Sequence, residues 1–263
     1  MPFLVAAALA TSLLGSGLDL APAGLATFAN EGLITNPGEK PKNLGFGGDF
    51  LFGYLATNSE TTTSSINGKL KLGYNTPLWQ YRLRLAATGA STDDTPTAER
   101  YFGAFQSNRL LTKSTYVFGY LGYLHDRFSA YRYQASEVVG YGVRVVDTTA
   151  QTLAFEIGAG YTQARQIGGP SDQSPAARAS ELYDWQFSKN GAISQGLTAE
   201  KSSFNLFSQF STSVKVQLVG NLALALSYAI EHNSTVSDSR PQTTSTTSIS
   251  VQYSFGAGLF GNS

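Results

Sequence analysis

Along most of this chain, hydrophobic and polar residues change places at every step. From Thr243 to Phe255 the odd positions run Thr243, Ser245, Thr247, Ile249, Val251, Tyr253 and Phe255, becoming steadily more apolar. The even positions, Thr244 through Ser254, stay polar throughout. A period of two is a β-strand with one greasy and one wet face. The same pattern sets Trp79, Tyr81, Leu83 and Leu85 against Gln80, Arg82 and Arg84. It recurs with Leu153, Phe155 and Ile157 against Thr152 and Glu156, and with Leu222, Leu224 and Leu226 against Ala223 and Ser227. Such runs follow one another from Leu44 onward and predict about twelve strands, an even number in the range of outer-membrane barrels. Three runs are less clean. Thr97 to Leu111 and Ser114 to Phe128 carry apolar residues on both faces, and Tyr131 to Asp147 puts Glu137 in register with Tyr133, Val139 and Tyr141.

One alternating strand fits a soluble sheet or, with its polarity reversed, a membrane barrel. Strand length and turn chemistry separate the two. Strands of about 11 to 15 residues exceed the usual five or six, and the polar faces hold Ser, Thr, Gln and isolated charges rather than core residues. Aromatic residues gather near strand ends at Tyr54, Tyr74, Trp79, Tyr81, Tyr161, Tyr183, Trp185, Tyr253 and Phe255, as interfacial girdles do. Tight turns are expected at Asn75-Thr76-Pro77, 111–114, 147–150, Asn190-Gly191 and Gly220-Asn221, alternating with longer loops at 58–62, 89–97, 166–176 and 235–242. The predicted fold is all-β: a transmembrane antiparallel up-and-down β-barrel over residues 44–255, with both ends on the short-turn side. A soluble lipocalin-like barrel or a sandwich is the alternative.

Composition sharpens this in two ways. Charged residues are 14% of the 263, while Gly at 27, Tyr at 14 and Phe at 16 are abundant, against roughly 25% charged in soluble domains. A net charge of zero gives no basis for nucleic-acid binding. The chain has no cysteine and two histidines, which exclude a disulfide framework and disfavour a His-based metal centre; no cofactor or metal is expected. The apolar run Phe3 to Leu14 is too short to span a bilayer and reads as the core of a signal peptide over 1–26, with small residues at Ala21-Pro-Ala23 and Gly24-Leu-Ala26. Residues 27–43 follow as a polar periplasmic lead-in, and 256–263 as a short C-terminal extension.

Most candidate chemistry lies on the wet faces. Inward register collects Asp49, Lys69, Lys71, Arg82, Arg84, Arg144, Glu156, Arg178, Asp184, Glu200, Lys215 and Glu231. Charges inside a barrel must be paired or wet. Pairing about Asn75-Thr76-Pro77 sets Lys71 opposite Arg82 and Lys69 opposite Arg84, a basic wall suited to anionic solutes, with Asp49 reaching only the Lys71 end. His232 and Ser234 have the spacing of an outer-membrane phospholipase pair but lack an orienting partner. Asp93, Asp94, His125 and Asp126 fall at the loop end, where a rim protease would hold its carboxylates, and read as solvated loop charge. Arg109, Arg127 and Arg132 are expected to meet lipopolysaccharide phosphates or nearby acids.

The stretches Ala98-Glu99-Arg100-Tyr101, Arg109 with Leu111-Thr112, Asp126-Arg127-Phe128, Ser136 to Gly142, Gln151-Thr152-Leu153, Glu156-Ile157-Gly158 and His232-Asn233-Ser234 together resemble the salt-induced outer-membrane protein family, the YdiY-like proteins. The likeness runs from about Leu44 to Phe255. It implies a bacterial outer-membrane barrel of unknown function, whose members end at the Tyr-x-Phe matched here by Tyr253-Ser254-Phe255. The expectation is a monomer without catalytic residues, passing small solutes, anionic ones among them, through a narrow lumen. Its partners would be outer-membrane lipids, lipopolysaccharide, the barrel-insertion machinery and those solutes. A stress-response envelope protein with its lumen closed by ion pairs is the first alternative, and an outer-leaflet hydrolase the second.

Overall fold

A computed structural model describes residues 44–58, 62–128, 131–166, 169, 171–236 and 242–256. The signal-peptide, lead-in and C-terminal-extension expectations lie outside them, apart from Gly256. Twelve strands form one closed antiparallel barrel: β1 (Gly45–Asn58), β2 (Thr62–Asn75), β3 (Trp79–Thr92), β4 (Thr95–Leu110), β5 (Thr115–Asp126), β6 (Tyr131–Asp147), β7 (Gln151–Gln166), β8 (Ser171–Trp185), β9 (Gly191–Lys201), β10 (Leu206–Val219), β11 (Leu222–Asn233) and β12 (Thr243–Gly256). Each strand pairs with its chain neighbours, and β1 closes on β12 through Gly48↔Phe255 and Phe50↔Tyr253. The seam demands close approach: a Cβ on Gly48 would strike the Lys71 carbonyl and the Phe255 ring. Gly256, at φ +82, ends β12 in a conformation that L side chains rarely adopt.

Polarity is inverted relative to a soluble protein. Ile157 is 66% exposed and Leu226 50%, with Phe50, Ile66, Leu121, Val139 and Ile249 likewise turned outward, while Lys71, Gln80, Gln209 and Gln252 are buried within the barrel. Hydrocarbon rewards the first set and excludes the second, so the apolar exterior is the membrane face. Aromatic rings mark its edges. Near the rim that carries the two barrel ends, Tyr74, Tyr81 and Phe105 stack in series with Trp79 on Tyr81; toward the opposite rim Tyr123 stacks on Tyr133 and Tyr101 leans on His125.

Three turns of the terminus rim share a device. At Thr76, Thr112 and Thr148 the hydroxyl accepts the backbone N–H three residues on, from Trp79, Thr115 and Gln151. The Thr76 N–H also donates to the Trp79 carbonyl, so Pro77 and Leu78 are the turn's two central residues. That moves the β2–β3 register by two from the sequence expectation: Lys71 faces Arg84, Arg82 faces Gly73, and Lys69 faces Ala86.

The long-loop rim also needs correction. Residues 89–97 are mostly strand, and β3 and β4 meet through Asp93-Asp94 alone, at φ 47 and 60. Asp tolerates the left-handed region, so the pair makes a hairpin turn where the composition suggested a loop. Likewise Ser171 to Ala176, expected within a loop, are strand. Between the described strands, only the gap from β11 to β12, residues 234–242, remains long. Glu137 turns out to face outward opposite Leu121 and Tyr161, and the bulges of its strand lie elsewhere.

Register makes a quantitative claim. Arg in place of Ile157 or Leu226 should destabilise the barrel by about 2 to 4 kcal/mol near the bilayer midplane, whereas Arg in place of Thr152 or Ser227 should cost much less. Reversible folding into liposomes measures both; equal losses on the two faces would contradict the inverted barrel.

Candidate functional site

All twelve charged residues that the sequence assigns to the inward register line the interior, and they fall into two tiers. Toward the terminus rim lie Asp49, Lys69, Lys71, Arg82, Arg84, Arg144, Glu156, Asp184 and Lys215, where bases outnumber acids. Lys71 sits between Asp49 on one neighbouring strand and Arg84 on the other. Arg82 lies within electrostatic range of Glu156 and Asp184, and Asp184 within range of Lys71 and Lys215. Asp49 accepts a 2.6 Å hydrogen bond from Ser254, and Arg144 bridges Asp147 at 2.6 Å while donating to the Lys113 carbonyl. Lys71 is 1% exposed, and the other charges of this tier apart from the half-buried Asp184 are buried as well. Side chains therefore fill the terminus-side half of the lumen.

Toward the opposite rim the charges form close pairs, one across the interior and one between adjoining strands. Arg100 on β4 grips Glu231 on β11 through two hydrogen bonds of 2.9 and 3.1 Å, with Asp126 at 3.6 Å. Arg178 meets Glu200 at 3.2 Å and lies over the Tyr120 ring at 4.4 Å, and Ser136 donates to Glu200 at 2.8 Å. A bidentate guanidinium–carboxylate pair is the strongest form such a contact takes. It ties opposite walls of the barrel together.

The runs with apolar residues on both faces now have an explanation. Tyr116, Phe118, Tyr120, Val138 and Ala104, with Phe102 against them, form an apolar wall inside the barrel. The rings lie flat over strand positions without a side chain: a Cβ on Gly140 would strike Phe118, and one on Gly142 would strike Tyr116. Tyr116 then reaches Glu156 with its hydroxyl at 2.8 Å, joined by Gln106 at 3.0 Å. Sequence reasoning missed Arg100, Phe102, Tyr120 and Phe207 as lumen residues, while Gln209 falls on the polar face it shares with Lys215. Parity was available for Arg100, with Gln106 and Asn108, and for Phe207, with Gln209 and Lys215; Phe102 and Tyr120 gave none, because both faces of their strands carry apolar residues.

A cavity of about 80 Å³ opens between these elements, lined by Arg100, Phe102, Tyr120, Arg178, Glu200 and Glu231 with Gln209. Among the described residues, no group of three or more His, Asp or Glu side chains is placed to hold a metal. The hydrolase spacing gains no geometry. His232 is hydrogen-bonded to Thr243, and Ser234 is tied to Asn205 and the Leu206 N–H. Asp93 accepts the Thr62 N–H at the hairpin tip, and Asp126 turns toward Arg100 and the Phe128 N–H. Arg109 stacks on Trp79 at the terminus rim, while Arg127 bridges Glu99 at the opposite one.

Residues 51–255 match the sequence family described as protein of unknown function, DUF481. The chain belongs to that family. A curated DUF481-like relative is the uncharacterized protein YdiY of Escherichia coli strain K12, 28% identical over 213 residues that cover 80% of this chain and 83% of that one. Among solved structures, an outer membrane channel from Pseudomonas putida F1 superposes with a TM-score of 0.51 at 8% identity, over 83% of this chain and 98% of that one. The NanC porin gives 0.50 at 11% identity, over 80% and 99%. At such identities the likeness is one of fold: this DUF481 chain has the channel-like architecture of outer-membrane β-barrels.

The cross-lumen pair gives a test. Arg100→Gln alone leaves the Glu231 carboxylate buried without its guanidinium partner and should cost about 3 to 5 kcal/mol, whereas Arg100→Gln with Glu231→Gln should recover most of that loss. Urea unfolding of the refolded barrel in liposomes measures the cycle, and additive losses would mean the two groups are not coupled.

Proposed function

We propose that this protein is a bacterial outer-membrane channel of low conductance, closed at rest by its own side chains and admitting small solutes when the paired charges part. One observation carries the reading: outside the aromatic wall of β4 to β6, the interior is lined with charge, amide and hydroxyl rather than packed with hydrocarbon. Replacing buried ion pairs by apolar residues is often neutral or stabilising, so stability alone gives little reason to keep them. A wall that must pass polar solutes does need them. The terminus-side tier, with Lys69, Lys71, Arg82 and Arg84 as its basic wall and Asp49, Glu156 and Asp184 as the nearest acids, favours anions. A structural barrel with a permanently closed lumen is the second reading, favoured by the near-complete burial of that same tier.

In this proposal the terminus rim, with its compact Ser/Thr-closed turns, faces the periplasm. The opposite rim faces outward, placing Arg127 and Arg132 where lipopolysaccharide phosphates lie. Arg109 sits at the other rim and drops out of that role. Export through the signal peptide at 1–26 and assembly by the barrel-insertion machinery complete the picture, and no catalytic role is assigned to His232 or Ser234.

Single cysteines settle the orientation: residues introduced at Asp93 and Ser171 should be labelled by an impermeant maleimide on intact cells, while those at Thr76, Thr148 and Asn190 should not. Equal labelling of both sets would reject it. Planar-bilayer recording tests the channel. Small, intermittent currents with a reversal potential favouring anions are expected, and that preference should fall when Lys69, Lys71, Arg82 and Arg84 are all changed to Gln. Silence under every applied voltage would leave the structural barrel, and selectivity indifferent to the fourfold change would discard the basic wall.

A further inference from the structure

The β1–β12 seam closes the barrel over only part of its length. Its ladder runs from Gly47↔Gly256 to Phe52↔Val251 and stops there, although β1 continues to Asn58 and β12 begins at Thr243. Gly53 to Asn58 thus pair with β2 alone, and Thr243 to Ser250 with β11 alone. Asn67 lies over Gly53 at the fork, where a Cβ would sit 3.0 Å from both the Asn67 Oδ1 and the Ile249 carbonyl oxygen. Beyond it Tyr54 is 65% and Leu55 45% exposed, so adjacent residues on opposite faces of β1 are both open.

The stretch of β12 without a partner on β1 has a composition of its own. Residues 243–250 read Thr-Thr-Ser-Thr-Thr-Ser-Ile-Ser, bearing a hydroxyl at every position but Ile249. Depth in the membrane does not account for this: on β11 the outward band continues through Tyr228 and Ile230, whose register partners on β12 are Thr247 and Ser245. A bare strand edge in hydrocarbon leaves N–H and C=O groups unpaired, and hydroxyls on both faces of β12 let water or the hydroxyls of a ligand reach them. On the lumen side Ser248 and Ser250 of β12, and Ser65 and Asn67 of β2, each bury a polar atom without a hydrogen-bond partner. Ser65 is the register partner of Leu55 and Asn67 that of Gly53, so these open atoms flank the unpaired part of β1 on either side. Buried polar groups are nearly always paired, and such atoms mark what an occupant should supply. No residue of 53–58, 62–67 or 243–250 is charged.

We infer that the unpaired half of the seam is a side entrance from the bilayer, taking the head of an uncharged, hydroxyl-bearing amphiphile of the monoacylglycerol type while its chain stays in lipid. A glycerol hydroxyl both donates and accepts, so it satisfies strand edges and the open atoms of Ser65, Asn67, Ser248 and Ser250 alike. A phosphate, carboxylate or ammonium head would enter without a counter-charge. The fork at Gly53 bounds how deep the head can go. This entrance is additional to the path along the barrel axis proposed above, and it does not depend on which rim faces outward.

Photocapture by the full-length barrel, refolded in liposomes doped with monoolein, tests it. Benzoylphenylalanine introduced at Thr246, on the lumen face of the unpaired stretch, should yield a monoolein adduct at least tenfold more abundant by mass spectrometry than the same probe at Phe207, a lumen position on β10. Lysophosphatidylglycerol with the same acyl chain, whose head is charged, should be captured at least tenfold less than monoolein. Ala56→Cys with Thr247→Cys, which would be partners were the ladder to continue in register, locks the seam when oxidised; capture should then fall at least tenfold and return on reduction. Heat-modifiable mobility on gels confirms that each variant is folded, and should the Thr246 derivative fail to fold, Thr244, exposed on the same face, carries the probe. Hydrogen exchange needs no variant: segments 53–58 and 243–250 should contain amides that exchange at least tenfold faster than those of 47–52 and 251–256. Uniform protection along the seam, equal capture at Thr246 and Phe207, equal capture of the two lipids, or capture unchanged by the oxidised pair would overturn the entrance. Capture without any bilayer current would retain the entrance and reject the channel; current without capture would do the reverse.

Discussion

A backbone N–H or C=O left unpaired in hydrocarbon costs several kcal/mol, and a membrane offers no water to relieve it. For a chain of strands the solution is closure, and here closure depends on β1 finding β12. The seam is built for that meeting, with Gly48 and Gly256 where any side chain would hold the strands apart. Once the ring is shut, the direction of every side chain follows from its parity. Outward positions answer to lipid and inward positions to one another.

The inward set then faces a second constraint, because charges drawn into a narrow interior must find partners. The protein meets it differently at its two ends. Near the terminus rim the bases cluster around Asp49, Glu156 and Asp184; at the other end Arg100 is held by Glu231 and Asp126, and Arg178 by Glu200. Between them β4 to β6 contribute rings instead of charge, and glycines on β6 give those rings a flat seat. The interior thus has a polar side and an aromatic side. The cavity lies where they meet, which is why it combines ion pairs, open amide chemistry and ring faces in so small a volume.

Glu137 belongs to neither group. It projects into the apolar exterior between Leu121 and Tyr161, four residues along its strand from Tyr133, whose ring stacks with Tyr123. Carboxylates on the lipid face are tolerated better than Arg or Lys, particularly away from the midplane. Its strand stays regular around it.

The period of two, read from residues such as Trp79 to Leu85 and Ile249 to Phe255, together with strand length and turn chemistry, determined the strand count, the inverted polarity and the inward placement of all twelve charges. It could do so because side-chain direction in a strand is strictly local: each residue faces opposite to the last. What partners those charges take was not local. Lys71 was expected against Arg82 and meets Arg84, because Thr76 closes a turn on Trp79 that the Asn-Thr-Pro run did not reveal, and a shift of two leaves parity intact while changing every pair. Loop lengths failed for a similar reason, since polar Ser/Thr segments near 89–97 continue the ladder once a neighbouring strand is present to pair with. Contacts between distant walls, Arg100 with Glu231 and Arg178 with Tyr120, exist only because the sheet closes. The tertiary structure alone decided that the lumen's terminus-side half is filled and that a cavity remains above it, since both depend on how side chains from opposite walls share one narrow space.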